Sequence, residues 1–153
     1  MAQLPLVGGC MCGLLRYEVG TAPLMIYNCH CTNCQKIGGA AFNTSMIVTE
    51  ASLRFTQGEP ALVEWVADSG STRCGLFCGA CGSRIVNGGK PSTGVFSLRA
   101  GTLDDTSWVQ PVGDTYTRSA QPWVHFVDGG LQAETLPPDF SPFVAAFRAQ
   151  GRF

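Results

Sequence analysis

The chain has 153 residues, a length that suits one domain with a full-sized hydrophobic core. Its net charge is −1 and no basic run appears, so the composition disfavours nucleic-acid binding through phosphate neutralisation. No apolar run approaches the length of a membrane span, and the N-terminal residues lack the charged and apolar regions of a secretory signal. We therefore expect a cytoplasmic protein that binds neither nucleic acid nor membranes.

Short runs of strand-forming residues, separated by glycines, predict a mainly β chain with little helix. In chain order, strands are predicted at 14–19, 24–28, 42–48, 53–57, 62–67, 76–77, 84–87, 95–100 and 123–127. One helix is predicted at 141–150, with Ser141 as N-cap and Pro142 at the first helical position. No repeat or linker divides the chain, so a single domain is expected over residues 1–153.

The cysteines carry the strongest functional signal. Three short clusters contain all of them except Cys74: residues 10 and 12, residues 29, 31 and 34, and residues 78 and 81. A cytoplasmic chain keeps its thiols reduced, which argues against disulfides, and clustered thiols in such a chain most often bind metal. The alternative is that the thiols are buried apolar residues or redox pairs. That interpretation suits cysteines scattered along a chain better than cysteines in short clusters.

The spacing indicates how these thiols combine. The sequence CGACG at 78–82 has the two-residue spacing of a zinc knuckle, in which both sulfurs face one ion and the following glycine takes a positive φ. A closed tetrahedral site needs a second pair, from either Cys10 and Cys12 or two thiols of the central triplet. If the first and third clusters form the closed site, the triplet keeps one position open, as catalytic zinc sites do.

Three motifs together resemble a known family: GGCMCG at 8–13, NCHCTNCQKIGG at 28–39 and FCGACGS at 77–83. Their order and spacing resemble the glutathione-dependent formaldehyde-activating enzyme family, which is related to centromere protein V, over about residues 8–127. The resemblance implies a zinc β-tent fold, carbon–sulfur lyase activity and two zinc ions per chain, and it leaves 128–153 as a C-terminal segment with a short helix. The structural zinc is assigned to Cys10, Cys12, Cys78 and Cys81, and the catalytic zinc to Cys29, Cys31 and Cys34.

One position departs from the family pattern. After the third cysteine of the central motif the family usually has Arg-Lys, whereas this chain has Gln35-Lys36. A cation expected beside an anionic thiol such as glutathione is therefore absent from this position. Lys36, Arg84 and Lys90 adjoin the motifs and are candidate anion contacts, although solvated surface charge is the commoner role for such residues.

Other residues near the motifs have simpler interpretations. The middle residue of an extended C-x-C segment points away from its neighbours, so His30 is expected to hydrogen-bond beside the metal ligands, with zinc ligation as the alternative. Cys74 is expected to be a buried apolar cysteine, with a spare thiol near the metal as the alternative. Three aromatic residues are expected in the core or the pocket wall: Phe42, Trp65 and Trp123. His125 lies in the apolar strand pattern at 123–127 and is expected to be structural.

Two classes of function fit these features. In the first, the protein is a carbon–sulfur lyase that makes or breaks the adduct of a small, glutathione-like thiol with formaldehyde or another small electrophile. Zinc held by three thiolates favours a sulfur ligand over water, and it lowers the pKa of that thiol. In the second, zinc only stabilises a small β domain whose surface binds a protein. The three-thiol cluster favours the enzyme.

Overall fold

The computed structural model describes residues 2–67 and 69–153, and this part of the chain contains eleven strands, two α-helices and three 3₁₀ turns. The helices are α1 (Thr32–Gly38) and α2 (Ser141–Ala149). The strands are β1 (Leu6–Gly9), β2 (Arg16–Val19), β3 (Met25–Cys29), β4 (Asn43–Thr49), β5 (Leu53–Gln57), β6 (Ala61–Val66), β7 (Thr72–Phe77), β8 (Arg84–Lys90), β9 (Val95–Arg99), β10 (Gly113–Thr115) and β11 (Leu131–Ala133). The mainly β class with little helix is therefore confirmed.

The strands form two sheets. The larger has eight strands in the order β11-β10-β3-β4-β9-β8-β7-β6, and the smaller has three in the order β1-β2-β5. All pairs from β3 to β6 along the larger sheet are antiparallel, whereas β10 runs parallel to both β3 and β11. The motif cysteines lie at strand ends. The pair at 10 and 12 comes after β1, the triplet spans the end of β3 and the start of α1, and the pair at 78 and 81 lies between β7 and β8.

One hydrophobic core joins the two sheets. Fully buried apolar side chains from the larger sheet, such as Ile26, Met46 and Leu98, belong to the same cluster as Val19 of the smaller sheet. On the other side of β3, the Tyr27 ring stacks on Phe140 at 5.5 Å between centroids, which holds the C-terminal helix segment against the sheet. Residues beyond 127 are thus part of the packed structure.

The opposite face of the larger sheet is polar at its centre. Side chains alternate along a strand, so Ser45, Ser97 and Arg99 face away from the side that carries Met46 and Leu98. The pairing register aligns Ser45 with Arg99, and Ser97 with Asn87 of the next strand. A buried polar strip therefore crosses three neighbouring strands, and it ends beside Cys29 at the end of β3.

The structure corrects two predicted elements. The strand predicted at 123–127 is wrong: the segment is a turn and loop in which Trp123 and His125 are exposed, so neither belongs to the core. The Val127 amide does not pair with a strand but donates to Oδ2 of Asp114 at 2.7 Å. The predicted C-terminal helix is present at Ser141–Ala149, but its N-cap is Phe140 and not Ser141.

The remaining strand predictions agree with the structure to within a few residues, although the strand containing 76–77 already begins at Thr72. The elements that the sequence did not reveal are α1, β1, β10 and β11. No helix in the described ranges is both long and apolar enough to cross a membrane.

Candidate metal centres

The two cysteine pairs of the sequence meet in one group, which we call the four-cysteine cluster: Cys10, Cys12, Cys78 and Cys81. Their four Sγ atoms all lie within 4.8 Å of one another. The Cys10–Cys12 separation is 3.5 Å and the Cys12–Cys78 separation is 3.7 Å, both far longer than a disulfide bond. The structure thus brings together the set that the resemblance assigns to a structural zinc.

Two similar turns shape the four-cysteine cluster. The Gly13 amide donates to the Cys10 carbonyl at 3.1 Å, and the Gly82 amide donates to the Cys78 carbonyl at 2.8 Å. Both glycines have a positive φ, 80° and 77°, which a residue with a Cβ atom adopts only with strain. The spacing of each motif therefore sets the turn that directs its two sulfurs to the same point.

Ser83 links these two turns. Its hydroxyl accepts a hydrogen bond from the Met11 amide at 3.1 Å and lies 3.2 Å from Sγ of Cys81. Hydrogen bonding to Ser83 lowers the pKa of Cys81 to about 5. The hydroxyl thus joins segments that are far apart in the chain and favours the thiolate that a metal ligand requires.

The donor set of the four-cysteine cluster fits zinc. In a tetrahedral thiolate site with Zn–S bonds of about 2.3 Å, neighbouring sulfurs lie about 3.8 Å apart. The two measured separations, 3.5 Å and 3.7 Å, agree with that value. Four soft thiolate donors suit zinc rather than a hard oxygen-seeking cation such as Mg²⁺ or Ca²⁺.

The second group, which we call the central cluster, consists of Cys29, Cys31 and Cys34. Its Sγ atoms also lie within 4.8 Å of one another. Cys29 ends β3, whereas Cys31 is the N-cap of α1 and its Sγ accepts a hydrogen bond from the Cys34 amide at 3.3 Å. The strand end and the first turn of the helix therefore bring three thiols together, and this donor set also fits a thiophilic metal ion.

The thiols of the central cluster differ in acidity. Hydrogen bonds from Cys29, Cys34 and backbone amides lower the pKa of Cys31 to about 2. Cys29 and Cys31 in turn raise the pKa of Cys34. Cys31 is also the main cause of the raised pKa of Cys29. A metal ion that takes all three as thiolates therefore displaces the protons of Cys29 and Cys34, and its affinity falls as the pH falls.

The central cluster opens onto a cavity of about 230 Å³. All three of its cysteines line this cavity, together with neutral polar side chains of the buried strip and the aromatic residues Tyr27, Trp65 and Tyr116. Within the described ranges, no member of the four-cysteine cluster lines it. The two clusters thus differ in access: one is a closed set of four sulfurs, and the other is a set of three at a cavity wall.

His30 points away from the central cluster. Its side chain is fully buried, with Nε2 2.7 Å from Oδ1 of Asp114, and its ring packs against Phe42 and Phe126 at 5.1 Å and 5.4 Å between centroids. The group of sulfurs that could hold a metal does not include either of its ring nitrogens. The geometry therefore favours the expected hydrogen-bonding role over zinc ligation.

Gln35 supports the backbone of the central cluster. Its Nε2 donates to the carbonyl oxygens of His30 and Ser119, both at 2.8 Å, and its Oε1 accepts from Gln121 at 3.3 Å. The side chain is thus committed to holding α1 and the 116–121 segment around residue 30. It does not line the cavity, so this position offers a ligand neither a cation nor an amide.

The cations that adjoin the motifs lie elsewhere. Lys36 is exposed on α1, and Lys90 pairs with Glu64. Arg84 donates to Asn87 at 2.8 Å and lies over the rings of Trp65 and Phe77. Cys74 is half-buried on β7, outside both clusters. None of these four residues lines the cavity.

Sequence reasoning missed two arginines, one that lines the cavity and one that lies on the sheet beside it. Arg73 of β7 lines it directly. Arg99 of β9 is 8% exposed, and its Nε and Nη2 have no hydrogen-bond partner among the described residues. Burial lowers the pKa of Arg99, whereas the thiolates of the central cluster oppose that shift. Alternation along β7 and β9 could have shown which sheet face each arginine occupies. Only the pairing register of the neighbouring strands shows that this face carries the cavity.

The comparisons with known proteins agree with this arrangement. A sequence profile described as glutathione-dependent formaldehyde-activating enzyme matches residues 5–119. The fold is similar to the crystal structure of a Rhodobacter sphaeroides protein, with a TM-score of 0.52, 20% identity, and coverage of 69% of this chain and 92% of that chain. That likeness concerns the fold alone. Because the profile spans most of the chain and includes both cysteine clusters, the chain belongs to the glutathione-dependent formaldehyde-activating enzyme family.

Proposed function

We propose that this protein is a zinc-dependent enzyme of the carbon–sulfur lyase type, which makes or breaks the adduct of a small thiol with formaldehyde or a similar electrophile. Membership of the family supports chemistry related to glutathione and formaldehyde. In the proposal, the four-cysteine cluster holds a structural zinc and the central cluster holds a catalytic zinc. One zinc-binding β domain spans the chain, and it acts in the cytoplasm.

The observation that carries this proposal is the difference in access between the clusters. A closed set of four thiolates leaves no position for a substrate, whereas a set of three leaves one. In this chain the set of three lines a cavity of about 230 Å³ and the set of four does not. The cluster that is one ligand short is therefore the one that a small molecule can reach.

The metal and the chain have separate tasks at this site. When bound, a zinc ion with three protein ligands supplies an open position that favours the thiolate form of an incoming thiol. Cys29, Cys31 and Cys34 hold that ion, and Gln35 fixes the backbone between the first two of them. Tyr116 lines the cavity, and burial raises its pKa, so its phenol stays protonated at neutral pH and can donate a hydrogen bond to the adduct hydroxyl.

The reaction in the cleavage direction needs only a proton transfer and one bond cleavage. The adduct R–S–CH₂–OH loses its hydroxyl proton, the C–O bond becomes a carbonyl, and the C–S electron pair leaves with sulfur. The products are formaldehyde and the thiol R–SH, which recovers the proton, so atoms and charge balance. The reverse direction is attack of the thiolate on the carbonyl carbon, which the low pKa of a metal-favoured thiol promotes at neutral pH.

A non-catalytic module, in which zinc only stabilises a protein-binding domain, is the competing class. It gives no reason for a separate three-thiol set at a cavity wall, because a structural zinc site is closed by four ligands. The near-neutral net charge of −1 also gives no electrostatic basis for a chromatin-binding role. The enzyme therefore accounts for more of the site than the module does.

The test is exchange spectroscopy by NMR between a free thiol and its hydroxymethyl adduct, with zinc-loaded protein and with formaldehyde present. Formaldehyde adds to thiols unaided, so the rate is compared with the uncatalysed background. Wild type should exceed this background, Cys31→Ser should not, and Cys74→Ser should behave as wild type because Cys74 lies outside both clusters. Neither binding nor exchange across a panel of small thiols would favour the non-catalytic module.

A further inference from the structure

Away from the thiols of the central cluster, the described wall of the cavity carries a positive charge and no negative one. Apart from the three thiols, Arg73 is the one charged residue among the described lining residues, and the polar ones are neutral: Asn33, Ser45, Ser69, Ser71, Asn87 and Ser97. No described carboxylate lines the cavity. The wall opposite the thiols is therefore suited to an anionic group.

Arg73 is also uncommitted within the described ranges. Other cations of this fold pair with carboxylates: Arg16 with Asp104, Arg54 with Glu18 and Lys90 with Glu64. No hydrogen bond or ion pair to a described residue involves the Arg73 guanidinium, which lies over Gly89 of the neighbouring strand. Its planar set of donors matches the two oxygens of a carboxylate.

The polar strip beneath the cavity adds a second cation. Arg99 shares its sheet face with Ser97 and pairs in register with Ser45, and both serines line the cavity. It is more than nine-tenths buried, with two nitrogens that lack a described hydrogen-bond partner. The positive charge of Arg99 partly balances the negative charge of the thiolates nearby. Arg73, at the cavity wall, is therefore available to a ligand.

The size of the cavity limits that ligand. Its volume of about 230 Å³ lies below the range of about 300–1,000 Å³ that is typical of pockets for drug-sized molecules. Because the thiols and Arg73 line this one small cavity, a molecule that places its sulfur at the central cluster and an anionic group at Arg73 needs only a short carbon chain between the two. The ligand class that fits is a small mercapto acid.

We infer that Arg73 is a specificity-determining residue, which binds the carboxylate of a small mercapto acid whose thiol occupies the open position at the central cluster. The inference rests on the proposed function and names the anchor for its substrate. In this arrangement a neutral thiol of the same length still binds through sulfur but loses the charge-assisted hydrogen bonds to the guanidinium.

The experiment compares 3-mercaptopropionate with 3-mercaptopropionamide, which differ only at the carboxylate. Binding to the zinc-loaded full chain is measured by calorimetry for wild type, Arg73→Gln, Arg73→Lys and the matched control Arg148→Gln, which removes an exposed charge on α2. Wild type and the control should prefer the acid by about ten- to a hundredfold, the size of a charge-assisted hydrogen bond. Arg73→Gln should lose this preference with unchanged affinity for the amide, and Arg73→Lys should retain part of it.

The possible failures are distinguishable. If wild type binds both thiols equally, or if Arg73→Gln keeps the preference for the acid, the assignment of Arg73 is overturned while the thiol site stands. If neither thiol binds to wild type, the proposed function fails and the inference fails with it. Far-ultraviolet circular dichroism and thermal unfolding establish that each variant is folded, which is expected because Arg73 is only half-buried.

Discussion

Oδ1 of Asp114 lies 2.7 Å from Nε2 of His30, and both side chains are buried beneath the central cluster. The other carboxylate oxygen accepts the Val127 amide at 2.7 Å, and Asn28 donates to Oδ1 at 3.3 Å. A single carboxylate thus ties β10 to the end of β3, to the residue between Cys29 and Cys31, and to the loop at 127. The geometry of the thiols therefore depends on a residue far away in the sequence.

The first prediction is that Asp114→Asn destabilises the protein by about 1–3 kcal/mol, the cost of leaving buried polar groups without a partner. An amide has one acceptor oxygen in place of two. With that oxygen on the Val127 amide, its NH₂ group faces Nε2 of His30, which must then act as an acceptor, and the Asn28 amide loses its acceptor. Urea unfolding measures the loss. Asp128→Asn, at an exposed position, is the control and should change stability by less than about 0.5 kcal/mol. Equal stability of Asp114→Asn and wild type would contradict this role.

The sequence predicted one half of this relationship. Alternation along an extended C-x-C segment places His30 on the side opposite Cys29 and Cys31, and the structure shows it there. Its partner was not predictable, because Asp114 lies in a strand of three residues, too short to show a period. The register that pairs Asp114 with Asn28 depends on tertiary contacts.

The missed helix and the wrong strand have similar local causes. The seven residues of α1 are too few for a clear helical pattern, and its ends are set by the Cys31 cap and by Gly39 with a φ of 57°. The run at 123–127 has strand-forming residues, but its Val127 amide is bonded to the Asp114 carboxylate instead of a neighbouring strand. Local propensity was therefore overridden by a side chain from another part of the fold.

The cysteine clusters were the most predictable part of the candidate site. Their short spacings fix local turns, and counting ligands separates a set of four from a set of three. The arginines were not predictable to the same degree, since Arg73 and Arg99 come from strands whose neighbours in the sheet are distant in sequence. Sequence spacing thus identified the thiols, whereas the charge around them required the sheet.

The second prediction concerns His30. Because its Nε2 faces Asp114, His30→Gln should lower stability while the zinc content per chain stays that of wild type. Elemental analysis after gel filtration measures the zinc, and thermal unfolding measures stability. A variant that folds but has lost one zinc per chain would instead identify His30 as a ligand.

The third prediction is that Cys78→Ser loses one zinc and much of the fold. The apparent binding free energy of a structural zinc, about 10–16 kcal/mol in small zinc domains, is as large as the whole stability of a typical protein. Metal analysis and thermal unfolding test it against Cys74→Ser, which changes a cysteine outside the clusters. Unchanged melting with full metal content in Cys78→Ser would rule out a structural zinc at the four-cysteine cluster.

The fourth prediction is that Cys31→Ser loses one zinc but stays folded, with a smaller loss of stability than Cys78→Ser. Cys31 caps α1 by accepting a hydrogen bond from the Cys34 amide, and serine is a favourable N-cap that keeps this bond. The same two measurements apply as for Cys78→Ser. A collapse of the fold as large as that of Cys78→Ser would mean that both metal sites are structural.

The fifth prediction concerns the open position itself. If the central cluster supplies three thiolates, X-ray absorption of the zinc-loaded chain should show the average number of sulfur ligands per zinc rising towards four when 3-mercaptopropionate is added. The thioether 3-(methylthio)propionate has the same carboxylate but cannot form a thiolate, so it should leave the spectrum unchanged. Cys31→Ser should abolish the response because this variant loses the zinc of the central cluster. A wild-type spectrum already at four sulfurs per zinc, and unmoved by the thiol, would make the central cluster a second closed site and remove the basis for substrate binding there.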